Sequence, residues 1–246
     1  MKYTIITAVH NGERYISKLA NSIFSQTYPH IEWVVQDACS VDKTLNILHQ
    51  FNHKINLMSE PDAGVYDAWN KAVSRATGDW VIFLGCDDHL VSQNTIAQCH
   101  RHLRKLHPSI VMAFGALVQG RGGKIERLMN RSMYRAYSLF CSNMGIPFPA
   151  TFIRLSALKE IKFDTRYKIA GDYDWAARTI TGHNLVRIPV VVSYMEKGGL
   201  SESGGSVLLE ERIRVLVSRV APKAKELIET SVKYLANSDD RLEEIL

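Results

Sequence analysis

A chain of 246 residues, with 46% hydrophobic and 22% charged residues, holds enough apolar material for a packed core and sits near the upper size of one domain, which excludes the disordered and fibrous classes. Its formal charge of +5 is spread without a long basic run, so nucleic acid is not an expected partner. Cys39, Cys86, Cys99 and Cys141 are dispersed, which argues against structural zinc and against a small disulfide framework, and fits a reducing cytoplasm.

The opening run in MKYTIITAVHNG is too short for a signal segment, and no later stretch approaches the length of a membrane span, so a soluble or peripheral protein is expected. YTIITAV reads as a strand, a helix runs from Ile16 to Ser25, EWVVQ is a second strand, and Asp42 to Gln50 a second helix. This alternation is βαβ grammar and predicts a largely parallel sheet flanked by helices. KINLMS, a turn at EPDAG, a helix from Val65 to Ala76 and the strand DWVIFLG follow, ending at the acidic pair Asp87 and Asp88.

The second half is less regular. It offers a helix from Asn94 to Leu106, strands at IVMAFGALV and GKIERLM, a Pro/Phe-rich segment GIPFPATF, a helix from Tyr173 to Ile180 and a strand NLVRIPVVVSYM. The loop EKGGLSESGG can change conformation at little steric cost. VLLEERIRVLVSRV and a helix from Ala224 carry apolar residues at helical spacing and are expected to pack on the main domain, with a membrane surface or a subunit contact as the alternatives. The expected organisation is one domain over 1–205, with a first half 1–110 that binds a nucleotide ligand and a second half 111–205, and a helical extension over 206–246.

In open α/β sheets ligands bind outside the carboxyl ends of the strands, where loops and helix N-termini converge. Asn11, Asp37 and the Asp87–Asp88 pair fall at such ends. Asp87 and Asp88 offer oxygen ligands for a hard cation beside a diphosphate; a solvated turn is the plain alternative. Asp37 suits a hydrogen bond from a pyrimidine N–H, or an Asx turn before a helix capped by Asp42. Asp62 lies in the turn before the third helix, where Lys71 either meets a phosphate or is solvated. In AGDYDW, Asp172 and Asp174 do not share a helix face. Asp172, at the helix entrance, is the candidate general base, with N-capping as its other role. His89 reads as a solvated loop histidine, with metal ligation as its alternative, and CHRHLRKLHP as a solvated helix face, with anionic lipid headgroups or lipid-linked phosphates as the alternative contact.

Four ordered blocks, TIITAVHNGERYISKLANSIFSQTYPHIEWVVQDACSVDKT, SEPDAGVYDAWNKAVSRATGDWVIFLGCDD, FDTRYKIAGDYDWAAR and GGLS, resemble glycosyltransferase family 2, and especially bacterial enzymes that build surface polysaccharides. The resemblance implies the GT-A fold and an inverting sugar transfer from a nucleotide-diphosphate sugar, a UDP-sugar above all, to a glycan or lipid-linked glycan acceptor. It assigns Ala8, Asn11, Asp37, Asp62, Lys71 and Asp87 to the donor nucleotide, Asp88 to Mn²⁺ or Mg²⁺, and Asp172 to the catalytic base. It also implies a cytoplasmic enzyme, peripheral at the inner face of the membrane where its acceptor is lipid-linked, with a loop GGLSESGG that closes over the donor. Ala38 and Cys39 depart from the pattern where glycines are common, Gly85-Cys86 where asparagine and a small residue are common, and Phe148-Pro149 where His-Gln is common. A non-catalytic sugar-binding module is the alternative from another class. A dinucleotide-dependent oxidoreductase is disfavoured because TAVHNGERY, not GxGxxG, follows the first strand. The sequence does not set the oligomeric state.

Overall fold

A computed structural model describes residues 1–51, 53–141, 144–199 and 204–236. β1 (Tyr3–Val9), α1 (Ile16–Phe24), β2 (Ile31–Asp37), α2 (Thr44–His49), β3 (Asn56–Ser59), α3 (Val65–Arg75) and β4 (Trp80–Phe83) follow as βαβ units. Strands β3, β2, β1 and β4 lie side by side, all parallel. Both faces of this sheet are covered, so its strands are apolar at consecutive positions. Ile6, Val34 and Val81 point into one core cluster, and their neighbours Ile5, Val35 and Ile82 into the other, as the alternation of a strand requires.

The sheet then changes character. β5 (His89–Leu90), α4 (Thr95–Leu103), β6 (Met112–Arg121), β7 (Lys124–Met129) and α5 (Met133–Phe140) precede β8 (Thr151–Arg154), α6 (Leu155–Glu160), α7 (Gly171–Thr179) and β9 (Leu185–Glu196). β8 inserts antiparallel between β4 and β6, β9 runs parallel to β6, β5 is antiparallel to β9, and β7 forms a hairpin on β6. The parallel character is thus concentrated in the first half of the chain, and the second half adds mixed strands.

Most expected elements lie within a few residues of their expected bounds. β5, α5, β8 and α6 are additions. β8 is only four residues long and follows Pro147 and Pro149, so neither strand length nor alternation marks it. Its burial comes from distant neighbours on β4 and β6.

The C-terminal segment consists of α8 (Gly205–Val215), a π-turn Leu216–Val220, a 3-10 turn Ala221–Lys223 and α9 (Ala224–Ala236). Val215, Val220 and Leu227 are buried in the core cluster that also holds Tyr137, Phe140 and Trp175, so the segment packs on the domain. No helix among the described residues is long and apolar enough to cross a membrane.

Candidate active site

The carboxyl end of β4 opens into a cavity of about 390 Å³. Asp87 and Asp88 line it from the loop after β4, Asp172 and Tyr173 from the start of α7, Tyr66 and Trp69 from α3, Glu196 from the end of β9, and Arg212 from α8. The acidic pair and the candidate base, 84 positions apart in the chain, therefore share one wall-to-wall space. Phe83, Phe148 and Trp69 form a stacked aromatic side, with Trp69 and Phe148 rings 5.6 Å apart at 15°.

Gly85 makes room for the acidic pair: a Cβ there would stand 2.6 Å from Asp87 Oδ1 and 3.2 Å from Asp88 Oδ2. Its own N–H donates to Asp88 Oδ2 at 2.9 Å. Burial pushes the Asp88 carboxyl well above the usual range, and the neighbouring Asp87 adds to it. Asp87 is raised by burial and by Glu196. Crowded, desolvated carboxylates of this kind are relieved by a cation. Among the described residues no group of three or more His, Cys, Asp or Glu side chains could hold a metal alone. Two aspartates beside open space therefore fit a hard cation that completes its shell with water and substrate oxygens.

Asp172 is half-buried in the cavity wall. Oδ1 accepts the Tyr173 N–H at 2.7 Å and stands 3.5 Å from the Tyr66 hydroxyl. Burial raises its pKa to about 6, the range in which a carboxylate is ionised at neutral pH yet basic enough to take a proton. Asp174 goes elsewhere. Fully buried, it accepts from Arg178 Nε at 2.7 Å and Arg219 Nε at 3.2 Å, joining α7 to the C-terminal segment.

The remaining sequence candidates sit at the carboxyl edge of β1, β2 and β3 but do not line this cavity. Ala8 is the penultimate residue of β1, opposite Gln36. Asn11 is exposed, with φ +54°, and its Oδ1 accepts from Val41 N–H at 2.9 Å. Asp37 is fully buried and accepts from Ser40 N–H at 2.9 Å, Ser40 Oγ at 2.5 Å and Ser59 Oγ at 2.7 Å, filling three of a carboxylate's roughly four acceptor directions. Asp62 accepts from Gly64 N–H at 2.9 Å ahead of α3. The Lys71 ammonium donates to Pro61 O at 2.7 Å and lies 3.3 Å from both Glu60 and Asp67, so its charge is already met.

One expectation changes and one departure finds its cause. His89 is not a solvated loop residue: it belongs to β5, stacks on Tyr194 at 4.6 Å, and burial lowers its pKa to about 4. The position of Cys39 has φ +55°, which explains why glycine suits it. Residues 200–203, the centre of the loop expected to close over the donor, lie outside the described residues.

Sequence reasoning missed Glu196, Arg131, Arg212 and Glu211. Glu211 is buried on α8 and accepts from the N–H groups of Lys168 at 2.6 Å, Ile169 at 2.9 Å and Ala170 at 2.8 Å, holding the loop that leads into Asp172. A signal existed: Leu208, Glu211 and Val215 share one helix face, and a charge amid apolar residues on a packing face needs buried partners.

A family model described as "Glycosyl transferase family 2" matches residues 4–162. The chain belongs to this family. It is a glycosyltransferase. The PGL/p-HBAD biosynthesis glycosyltransferase of Mycobacterium bovis (strain BCG / Pasteur 1173P2) is 31% identical over 211 residues, covering 82% of this chain and 79% of that one. The poly(ribitol-phosphate) beta-N-acetylglucosaminyltransferase TarS of Staphylococcus aureus (strain MW2) is 31% identical over 76% of this chain, but only 34% of TarS is covered. The crystal structure of S. aureus TarS 1-349 in complex with UDP-GlcNAc superposes with a TM-score of 0.71 at 21% identity, over 98% of this chain and 74% of that one. Glucosyl-3-phosphoglycerate synthase from Mycobacterium tuberculosis, solved with Mn²⁺, UDP and glucosyl-3-phosphoglycerate, gives 0.63 at 16% identity, over 89% and 80%. These likenesses show the fold of this family 2 member, the GT-A α/β sandwich.

Proposed function

We propose that this enzyme moves a sugar from a nucleotide-diphosphate sugar, with UDP the favoured nucleotide, to an acceptor hydroxyl with inversion, in the building of a bacterial surface glycan. The observation that carries the reading is the shared cavity of Asp87, Asp88 and Asp172. The relatives are named as a PGL/p-HBAD biosynthesis glycosyltransferase and a poly(ribitol-phosphate) beta-N-acetylglucosaminyltransferase, which supports the product class. The carboxyl edge of β1 to β3, with Ala8, Asn11, Asp37, Asp62 and Lys71, would carry the nucleotide. The first 110 residues would then serve the donor and residues 111–205 the acceptor.

Asp88, with Asp87, would hold Mn²⁺ or Mg²⁺, which when bound neutralises charge on the departing diphosphate. Asp172 takes the proton from the acceptor hydroxyl as that oxygen bonds to the anomeric carbon. The bond from this carbon to the diphosphate breaks on the opposite face, and the nucleoside diphosphate leaves with the electron pair. One base and one in-line displacement suffice, so no protein nucleophile is needed. The aromatic side excludes water from the reacting centre.

Thermal unfolding with UDP-, GDP- and dTDP-sugars, with and without Mn²⁺, tests the reading. One donor should raise the midpoint only with the metal, because a ligand bound to the folded state alone stabilises it. No shift with any donor would overturn the proposal.

A further inference from the structure

The cavity has two cations on its wall, Arg131 and Arg212. Arg131 is used internally: its Nη1 donates to Gly145 O at 2.6 Å and Met144 O at 3.2 Å. Arg212 is half-buried in the same wall, one helical turn beyond Leu208, yet its guanidinium makes no hydrogen bond or ion pair among the described residues. A guanidinium drawn out of water without a partner is costly, and the cost is recovered when a phosphate or carboxylate meets its fork of donors.

Its position is not accidental to packing. The adjacent Glu211 anchors α8 to the three backbone N–H groups of residues 168–170, so α8 is registered directly against the loop carrying Asp172. Arg212 is accordingly a charged neighbour of Asp172 and Tyr173. The charged neighbours of Asp87 are instead Asp88 and Glu196. The unpaired cation thus belongs to the base end of the cavity, whereas a donor diphosphate belongs with the acidic pair.

We propose that Arg212 binds an anionic group of the acceptor, and that the acceptor of this enzyme carries a phosphoryl or carboxylate group close to the hydroxyl that is glycosylated. This rests on the reading of Asp172 as the base and narrows the substrate class to polyol phosphates or uronates. A bidentate arginine explains the choice of residue: its fork matches either anion, whereas the carboxylates that share the wall accept hydrogen bonds and would repel an anion rather than hold it.

Isothermal titration in the presence of saturating UDP and Mn²⁺, which fill the donor side, compares glycerol 3-phosphate with glycerol and glucuronate with glucose. The wild-type enzyme should bind at least one charged member about tenfold more tightly than its neutral counterpart, a difference of about 1.4 kcal/mol. The pair that discriminates names the anion. Arg212→Ala should bring the ratio near one with UDP affinity unchanged, and Arg212→Lys should fall between because it keeps charge and loses the fork. An undiscriminating wild type, a ratio unchanged in Arg212→Ala, or loss of UDP affinity in that variant overturns the assignment. Failure of UDP itself to bind the wild type would instead strike the nucleotide-sugar reading, while the anion comparison can still be run without it.

Discussion

Replacing Asp172 by Asn removes the base and should also stabilise the protein. The carboxyl loses its proton near 3.8 in an unfolded chain and at about 6 in the folded one. Between those values the folded state binds more protons, so stability falls as pH rises through that window and is level above it. The difference corresponds to about 3 kcal/mol at full burial. Water reaching the half-buried carboxylate through the cavity mouth screens it, leaving about 1–2 kcal/mol. Asp172→Asn should therefore raise the unfolding midpoint at pH 8 by roughly 3–6 °C, and by little near pH 3.5, where the wild-type carboxyl is protonated in the folded state and mostly protonated in the unfolded one. Turnover should fall by about 10²–10⁴, while donor affinity stays. In the wild type kcat/KM should climb with pH to a plateau above about 6. Thermal unfolding at the two pH values, with a sugar-transfer assay alongside, reads all of this. Equal stability of variant and wild type at pH 8 would refute the desolvation argument, and surviving turnover would remove Asp172 from the chemistry and favour a binding module.

Asp88→Asn should abolish the Mn²⁺-dependent stabilisation by donor, as chelation does in the wild type, and titration of UDP with and without metal checks it. Glu211→Ala leaves three backbone N–H groups without their acceptor and should cost about 3–5 kcal/mol in denaturant unfolding; Glu211→Gln should retain part of this, and kcat should fall more than donor affinity because the loop entering Asp172 loosens. Cys39→Gly relieves a left-handed backbone position at φ +55° and should add about 1 kcal/mol, seen as a higher denaturation midpoint with unchanged slope.

The first half of the fold was legible because its signals are local. Consecutive β-branched positions in β1 and β2 and the amphipathic period of α1 and α3 follow from burial on two faces or one. β8 was illegible because its four residues become a central strand only through β4 and β6, which no local pattern announces. The carboxylates that line the cavity were singled out by the same logic that found the strands. Asp87 and Asp88 stand where β4 ends, and the C-terminal edges of parallel strands are where ligands gather. Asp172 was separable from Asp174 by helix phase, and the structure gives the physical cause of the difference: one faces a cavity, the other is neutralised by Arg178 and Arg219.

Arg212 and Glu211 were out of reach of that logic, since they act across some forty positions on a helix whose pattern reads only as amphipathic. Glu211 contacts Lys168 at a separation of 43 residues. The face it occupies with Leu208 and Val215 would by period alone be apolar, and the chain instead places there the acceptor for the amides that precede Asp172. The next residue then points a cation into the cavity. A helix that merely covered the core would need neither group, because apolar residues of like volume would stabilise it as well or better. The C-terminal segment is therefore part of the cavity wall, and the Asp174 pair with Arg219 ties its far end to the helix that carries Asp172.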